Sequence, residues 1–269
     1  MTQLKEKIVW ITGASSGIGE ALTYQLANLG CKLILSSRRV NELERVKQSC
    51  QETNVDNIKI LPLDLGENES LITATQQALE YFGNIDILIN NGGISQRGLA
   101  INTSLEVERQ IMEINFFSAI TLTKLILPNM IARKTGHLVI ISSLVGKFGS
   151  PYRSTYAASK HALHGYFDSL RAELWQDNIK ITLVCPGYIQ TNISKNALTS
   201  TGEKHGKMDK NQLQGIAVND CTAKIIEAIM KDKPEIYIAK KEIIAIYLKR
   251  FYPQLLARVI RGVNREFSN

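Results

Sequence analysis

Tyr156 and Lys160 stand four residues apart in Tyr156-Ala-Ala-Ser-Lys160. On a helix that spacing places both side chains on one face, one turn from each other. A tyrosine with an ordinary pKa of about 10 gives up its proton poorly at neutral pH. A lysine cation beside it favours the phenolate and lowers that value. A phenol tuned in this way passes a proton to or from an oxygen at working pH. Ser143 follows the apolar run His137–Ser142, which reads as a buried strand, and its hydroxyl is expected to reach the same point and donate to a substrate oxygen. Tyrosine and lysine four apart also arise by chance on helices. The pair signals chemistry only if the chain also supplies a hydride carrier.

The beginning of the chain offers one. Lys7–Thr12 is a short apolar strand, Gly13-Ala-Ser-Ser-Gly17-Ile-Gly19 follows at once, and Glu20–Gly30 has helical periodicity with a glycine stop. Strand, glycine turn and helix in this spacing form a dinucleotide-binding signature. The glycines permit a tight turn close to a pyrophosphate, and the helix N-terminus offers free N–H groups and a favourable dipole. No Gly-Lys-Ser/Thr follows, which excludes a triphosphate loop. A second strand, Cys31–Ser37, ends at Arg38-Arg39. An acid near this point would bind a ribose 2′-hydroxyl. Ser37, Arg38 and Arg39 suit a 2′-phosphate instead, so NADP(H) is expected over NAD(H). For Arg39, capping a solvated helix is the competing role.

The alternation continues through a helix over Asn41–Glu52 and a strand over Ile58–Leu63, with Asp64 at its end as an acceptor for an adenine amino group or as a loop acid. A helix over Glu67–Phe82 leads to a strand over Ile85–Asn90, then Asn91-Gly92-Gly93. A long helix over about Ser104–Ile131 carries Asn115 mid-length, where asparagine competes with the backbone and suggests a special role. The helix bearing Tyr156 runs to about Gln176. A strand over Lys180–Cys185 ends at Pro186-Gly187, and the polar stretch after Tyr188–Lys195 reads as a mobile flap. A helix over Ile216–Met230 and a strand over Glu235–Ala239 complete an α/β fold. We expect a single-domain Rossmann fold, a doubly wound parallel sheet of about seven strands with helices on both faces.

Composition bounds the rest. The chain has 269 residues, is 44% hydrophobic, and carries a net charge of +7. Four scattered cysteines without a CxxC pair suit a reducing compartment rather than a disulfide framework. No signal peptide is read before the first strand, and no uninterrupted apolar run reaches the length of a membrane span. A cytoplasmic protein that binds no nucleic acid is expected. His161 and His164 are three apart, but no Cys, Asp or Glu nearby completes a ligand set, so no metal is expected. Ser143 lacks the Gly-x-Ser-x-Gly elbow of a hydrolase. The tail Ile243–Arg261 is apolar, aromatic and basic, and Pro253 should split it into two short helices. Such a segment lies on a lipid surface, closes the pocket or meets a partner subunit.

Taken together, Thr12-Gly-Ala-Ser-Ser-Gly-Ile-Gly19, Asp64, Asn90-Asn-Gly-Gly93, Asn115, Ser143, Tyr156-Ala-Ala-Ser-Lys160 and Pro186-Gly187 resemble the short-chain dehydrogenase/reductase family over nearly the whole chain. The segments Pro186–Ala197 and Gly206–Asp209 are similar to its member 7 and 7B branch, near the hydroxysteroid dehydrogenases. The resemblance implies Tyr156 as general acid/base, Ser143 as the donor to the carbonyl oxygen, and Lys160 lowering the tyrosine pKa and holding a ribose. Asn115 would anchor a water in a proton relay, and Thr191 would meet the nicotinamide carboxamide. The implied cofactor site comprises Gly13, Ser15, Ser16, Gly17, Ile18, Gly19, Ser37, Arg38, Arg39, Asp64, Leu65, Asn91, Gly92, Tyr156, Lys160, Pro186, Gly187, Ile189 and Thr191. One departure is Gly92, where the family usually has alanine, a difference of one methyl group. The resemblance also implies a homodimer or homotetramer. Residues 1–240 are expected to form the NADP-binding catalytic domain and 241–269 its helical extension.

The expected activity is interconversion of a carbonyl and a secondary alcohol on an apolar, lipid-like substrate. A 3-oxoacyl-thioester reductase is the alternative within enzymes. A non-catalytic NADP(H) sensor is the alternative outside them.

Overall fold

The computed structural model describes residues 3–50 and 55–266. Seven strands form one sheet: β1 (Ile8–Thr12), β2 (Lys32–Ser37), β3 (Ile58–Pro62), β4 (Ile87–Asn90), β5 (Gly136–Ile141), β6 (Ile179–Pro186) and β7 (Glu235–Ile238). Their order is β3-β2-β1-β4-β5-β6-β7, with every pairing parallel. Aliphatic runs suit these strands because both faces of the sheet are covered.

The two-residue alternation of a strand divides the core into layers. From β1, Val9 and Ile11 face one layer, together with Leu22 and Leu26 of helix α1 (Gly17–Asn28) and Leu43 and Val46 of α2 (Val40–Gln48). Ile8 and Trp10 face the other, against Leu71 and Ala78 of α3 (Asn68–Phe82). The buried Trp10 indole donates to Ser36 Oγ at 2.9 Å, so the larger side chain enters the core with its polar atom satisfied. Burying each large aliphatic or aromatic side chain contributes about 1.5–3 kcal/mol. The expected end of the second helix at Glu52 lies outside the described residues.

The long helix after β4 is α4 (Leu105–Met112) and α5 (Ser118–Arg133), joined by a π turn over Glu113–Phe117. The sequence is expected to hold no uninterrupted apolar run of membrane length, yet Leu105–Arg133, 29 residues, is long and apolar enough to span a bilayer by length and composition. The fold gives that apolarity another use: Leu122, Ile126 and Met130 sit in the second core layer. So do Leu163 and Phe167 of α6 (Ser154–Glu173), the helix that carries Tyr156 and Lys160. After β6 comes the flap, with short helix α7 (Lys210–Leu213), then α8 (Val218–Met230), which packs on α1 in the first layer.

Pro253 splits the tail as expected, into α9 (Ile244–Phe251) and α10 (Pro253–Glu266). Proline opens the second helix at its first position, where its missing N–H costs nothing.

Candidate active site

In the sheet order, β1 has β2 on one side and β4 on the other, so the strand order reverses between β1 and β4. A crevice opens at the carboxyl ends of strands at such a switch point. Here the two strand ends are clamped together. Thr12 Oγ1 accepts from the backbone N–H groups of Asn91 and Gly92, both at 3.0 Å, and Asn91 Nδ2 donates to the carbonyls of Thr12 at 2.9 Å and Gly13 at 3.2 Å. Gly13 has φ +65°, and a methyl there would lie 2.8 Å from Gly92 Cα. Only glycine fits both the left-handed conformation and this approach.

A cleft of about 620 Å³ lies above this switch point. Of the residues expected to hold the cofactor, all but Gly19 line it, from the Gly13–Ile18 turn to Thr191. Gly19 is buried behind the turn instead, against Gly13 and Asn91, where it permits close helix–strand packing. Arg39 Nη2 donates to Ser15 Oγ and Ser16 Oγ, each at 3.0 Å, so this guanidinium is committed to the glycine turn. Arg38 is more open: its side chain is 63% exposed, and the nearest carboxylate oxygen, on Asp64, is 3.9 Å away. Asp64 also accepts from Gly66 N at 2.9 Å as a loop acid. Gly92 proves to matter more than its missing methyl suggests. A methyl there would collide with Leu65 Cδ1, so the Leu65 side chain fills that space. Across the cleft, a methyl at Gly17 would sit 3.2 Å from Thr191 Cγ2. Thr191 and Ile189 are in turn held by Gln212 of α7.

Ser143, Tyr156 and Lys160 line the same cleft, and Asn115 does not. Asn115 lies in the π turn, a local widening of the helix that is frequent at functional sites. Its amide pairs with the backbone of Ile94, donating at 2.9 Å and accepting at 2.8 Å, and donates to Ser159 Oγ at 3.0 Å. A methyl at Gly93 would lie 3.0 Å from Asn115 Oδ1 and 3.7 Å from Lys160 Nζ, so Gly93 keeps a space between the two. Lys160 Nζ donates to Ile141 O at 2.8 Å and stands 5.8 Å from the centre of the Tyr156 ring. Burial lowers the Lys160 ammonium to about 8.

The electrostatics of Tyr156 differ from the expectation. Burial raises its pKa above the ordinary value and dominates. The groups pulling the other way are a hydrogen bond to Ser143 and the charges of Arg153 and Arg97, not Lys160. Burial brings the Lys160 ammonium down to about 8, below the pH at which the buried phenol ionises, so it no longer carries its charge when Tyr156 gives up its proton.

Several contributors were invisible in local sequence patterns. Gln96 Oε1 accepts from Thr155 N at 2.9 Å and Tyr156 N at 3.4 Å, capping the start of α6. Arg97 and Arg153 both pair with Asp209. The flap carrying Asp209 is stitched down by Arg97 N to Leu198 O at 2.8 Å and Leu198 N to Ser95 O at 2.9 Å. Likewise, the missing partners of His164 come from distant strands: His164, Cys185 and Glu235 bring ligand-type atoms within 4.8 Å of one another. Their distance along the chain hides them from residue spacing alone. Glu235 there is paired with Lys147 at 2.7 Å, which already supplies a cation.

With this geometry in view, residues 7–201 match the short chain dehydrogenase family. The chain belongs to the short-chain dehydrogenase/reductase family. It is similar to a dehydrogenase/reductase SDR family protein 7-like of Anopheles gambiae, 49% identical over 88% of this chain and 76% of the relative. It is also similar to human dehydrogenase/reductase SDR family member 7, 42% identical over 93% of this chain and 76% of that protein. Among solved structures, a metagenomic short-chain oxidoreductase in complex with NADP superposes with TM-score 0.72 at 25% identity, over 88% of this chain and 98% of that one. A short chain dehydrogenase/reductase from Burkholderia phymatum in complex with NAD shares the fold with TM-score 0.84 at 22% identity, over 95% of this chain and 96% of that one.

Proposed function

We propose that this chain is an NADPH-dependent oxidoreductase that interconverts a carbonyl and a secondary alcohol on an apolar, lipid-like substrate. The observation that carries the reading is the convergence of Ser143, Tyr156 and Lys160 on one cleft with the Gly13–Ile18 turn. The turn from Gly13 to Gly17 fits a dinucleotide, since its two left-handed glycines keep it tight and bring it into the N-terminus of α1. When bound, the nicotinamide supplies or takes up the hydride.

The protein's share is placement and proton handling. The first turn of α1 presents N–H groups to the pyrophosphate. Thr191, which lines the cleft, would hold the carboxamide end of the nicotinamide. Ser143 and Tyr156 donate to the substrate oxygen, where negative charge grows during reduction. Tyr156 gives its proton to that oxygen or takes it back. Lys160, with a water held beside Asn115, reloads the phenol from solvent. The space that Gly93 leaves between Asn115 and Lys160 supports this relay.

Arg38 is the residue assigned to the 2′-phosphate, because its guanidinium remains open while Arg39 is engaged with Ser15 and Ser16. NADPH is expected to bind at least tenfold tighter than NADH, and Arg38→Ala to remove most of that difference, since a charge-assisted contact is worth about 1.5–3 kcal/mol. Fluorescence titration with both cofactors measures this, and equal affinities in the unaltered protein would refute NADP(H) preference. Turnover itself is tested by NADPH consumption over a panel of ketones, aldehydes and 3-oxoacyl thioesters. Tight NADPH binding without turnover of any would replace the reading with a sensor.

For the tail, we propose contact with a membrane surface. Ile244, Tyr247 and Phe251 on α9, Tyr252 between the helices, and Leu255 and Val259 on α10 are exposed, with Lys249, Arg250, Arg258 and Arg261 near them along the chain. Exposed apolar and aromatic side chains flanked by cations suit an anionic lipid interface. The intact protein is expected to float with phosphatidylserine-containing liposomes at low salt. Its absence from the floated fraction would remove the proposal.

A further inference from the structure

Arg97, Arg153 and Asp209 form a buried charged triad beside the proposed proton donor. Arg97 Nη2 lies 2.6 Å from Asp209 Oδ2, and Arg153 Nη2 lies 2.9 Å from the same oxygen. Arg97 Nε reaches the other oxygen at 3.3 Å. The three side chains are only 6%, 13% and 9% exposed. Two cations share one anion, which leaves one uncompensated positive charge. Buried charge of this kind is costly unless pairing and hydrogen bonds offset its desolvation.

Its position suggests a purpose. Arg153 is the residue before α6 and stands three residues ahead of Tyr156. Arg97 follows Gln96, the residue whose side chain caps the first N–H groups of α6, and it donates through Nη1 to Ser95 Oγ at 2.9 Å and Gln96 O at 2.6 Å. Arg97 and Arg153 both line the cleft that holds Tyr156. Asp209 reaches them from the flap, with its own backbone N–H bonded to Ser194 Oγ at 3.2 Å.

We propose that Arg97 and Arg153 are positioning residues that direct a positive field at the Tyr156 phenol, and that Asp209, carried in by the flap, sets its strength. The inference rests on Tyr156 being the proton donor and acceptor, as proposed above. The charge balance around the phenol is consistent with it. Lys160 of α6 and Arg153, the residue just before that helix, line the same cleft as Tyr156. Arg97 comes from the segment after β4, and Asp209, His205 and Lys204 come from the flap. Glu108 of α4 is occupied by Thr155 Oγ1 at 3.0 Å, and Glu242, ahead of α9, lies at Tyr188 N. Of these, the two arginines are the cations that pull the phenol's pKa down against its burial. For Asp209, burial alone would raise the carboxyl, but the hydrogen bond and charge of Arg97, with the charge of Arg153, hold it below its ordinary value. It therefore stays ionised and offsets part of their field.

The test exploits opposite signs. Phenolate formation at Tyr156 is followed by near-ultraviolet absorption, as the difference between each full-length protein and its Tyr156→Phe counterpart. Arg153→Gln removes a cation and is expected to raise the ionisation midpoint by roughly 0.5–1 pH unit, whereas Asp209→Asn frees both cations and lowers it by a similar amount. Arg153→Lys keeps the charge and holds the midpoint near that of the unaltered protein. The pH profile of NADPH oxidation, with any ketone that the panel shows to be turned over, should move in the same directions. Circular dichroism and NADPH titration establish that each variant is folded. Midpoints that stay put in Arg153→Gln and Asp209→Asn, or that move in the same direction, overturn the inference. If Tyr156→Phe retains full turnover, the reading of Tyr156 fails instead, and the two failures are told apart.

Discussion

Tyr156→Phe is expected to lower turnover about a thousandfold or more while leaving NADPH affinity within about twofold. A positioned general acid typically contributes about 10²–10⁴ in rate. Here the same hydroxyl also donates to the developing oxyanion together with Ser143, so the upper part of that range applies. A thousandfold loss corresponds to about 4 kcal/mol of transition-state stabilisation. The ring remains in place, because phenylalanine fills the same small cluster with Val145 and Ala157. Stability should therefore change little, and the deficit should appear in kcat rather than in folding. Steady-state assays beside a cofactor titration separate the two. A fully active variant would transfer the proton role to another group.

Gly13→Ala is expected to act on the cofactor rather than on the proton. At φ +65° an alanine incurs about 1–2 kcal/mol of backbone strain. Its methyl would also lie 2.8 Å from Gly92 Cα and 3.0 Å from Asn91 Nδ2. Neither neighbour is the free end of a flexible chain. Asn91 is bound to Thr12 and Gly13, and Gly92 is bound to Thr12, so relief must come from parting the ends of β1 and β4. That disturbs the crevice in which the pyrophosphate would rest. NADPH binding should weaken at least tenfold, and the melting temperature should fall by several degrees, at roughly 2–4 °C per kcal/mol for a chain of this size. Unchanged affinity would mean that the dinucleotide does not use this turn.

Both substitutions lie in stretches that could be read before the fold was known, and this has a physical reason. Gly13 to Gly19 and Tyr156 to Lys160 are local patterns, in which spacing along the chain fixes spacing in space. The seven strands were legible for a similar reason. Each is a compact aliphatic run between helical segments, and burial on both faces leaves such runs little alternative. Some boundaries moved. Helix α1 begins at Gly17 rather than near Glu20, because the glycine turn itself forms the first helical turn.

What the sequence concealed is contact between distant segments. Arg97 and Asp209 are separated by 112 residues, and Arg153 and Asp209 by 56. No periodicity links them, so spacing along the chain points only to Lys160 as the charge beside Tyr156. His164, Cys185 and Glu235 assemble in the same non-local way. The sequence marked Asn115 as unusual for a helix interior but could not show that the helix widens into a π turn around it. The flap reads as mobile from its glycines and lysines, yet Leu198 and Asp209 tie it to the segment after β4.

The central claim is that a phenol, a serine hydroxyl and an ammonium stand beside a nicotinamide held by the glycine turn. A crystal structure of the full chain with NADP⁺ tests it most directly. The pyrophosphate is expected at the N-terminus of α1, the 2′-phosphate against Arg38, and the reactive nicotinamide carbon facing Tyr156 with room between them for the substrate's carbonyl group. Nicotinamide density away from Tyr156, or a dinucleotide that bypasses Gly13, would contradict it.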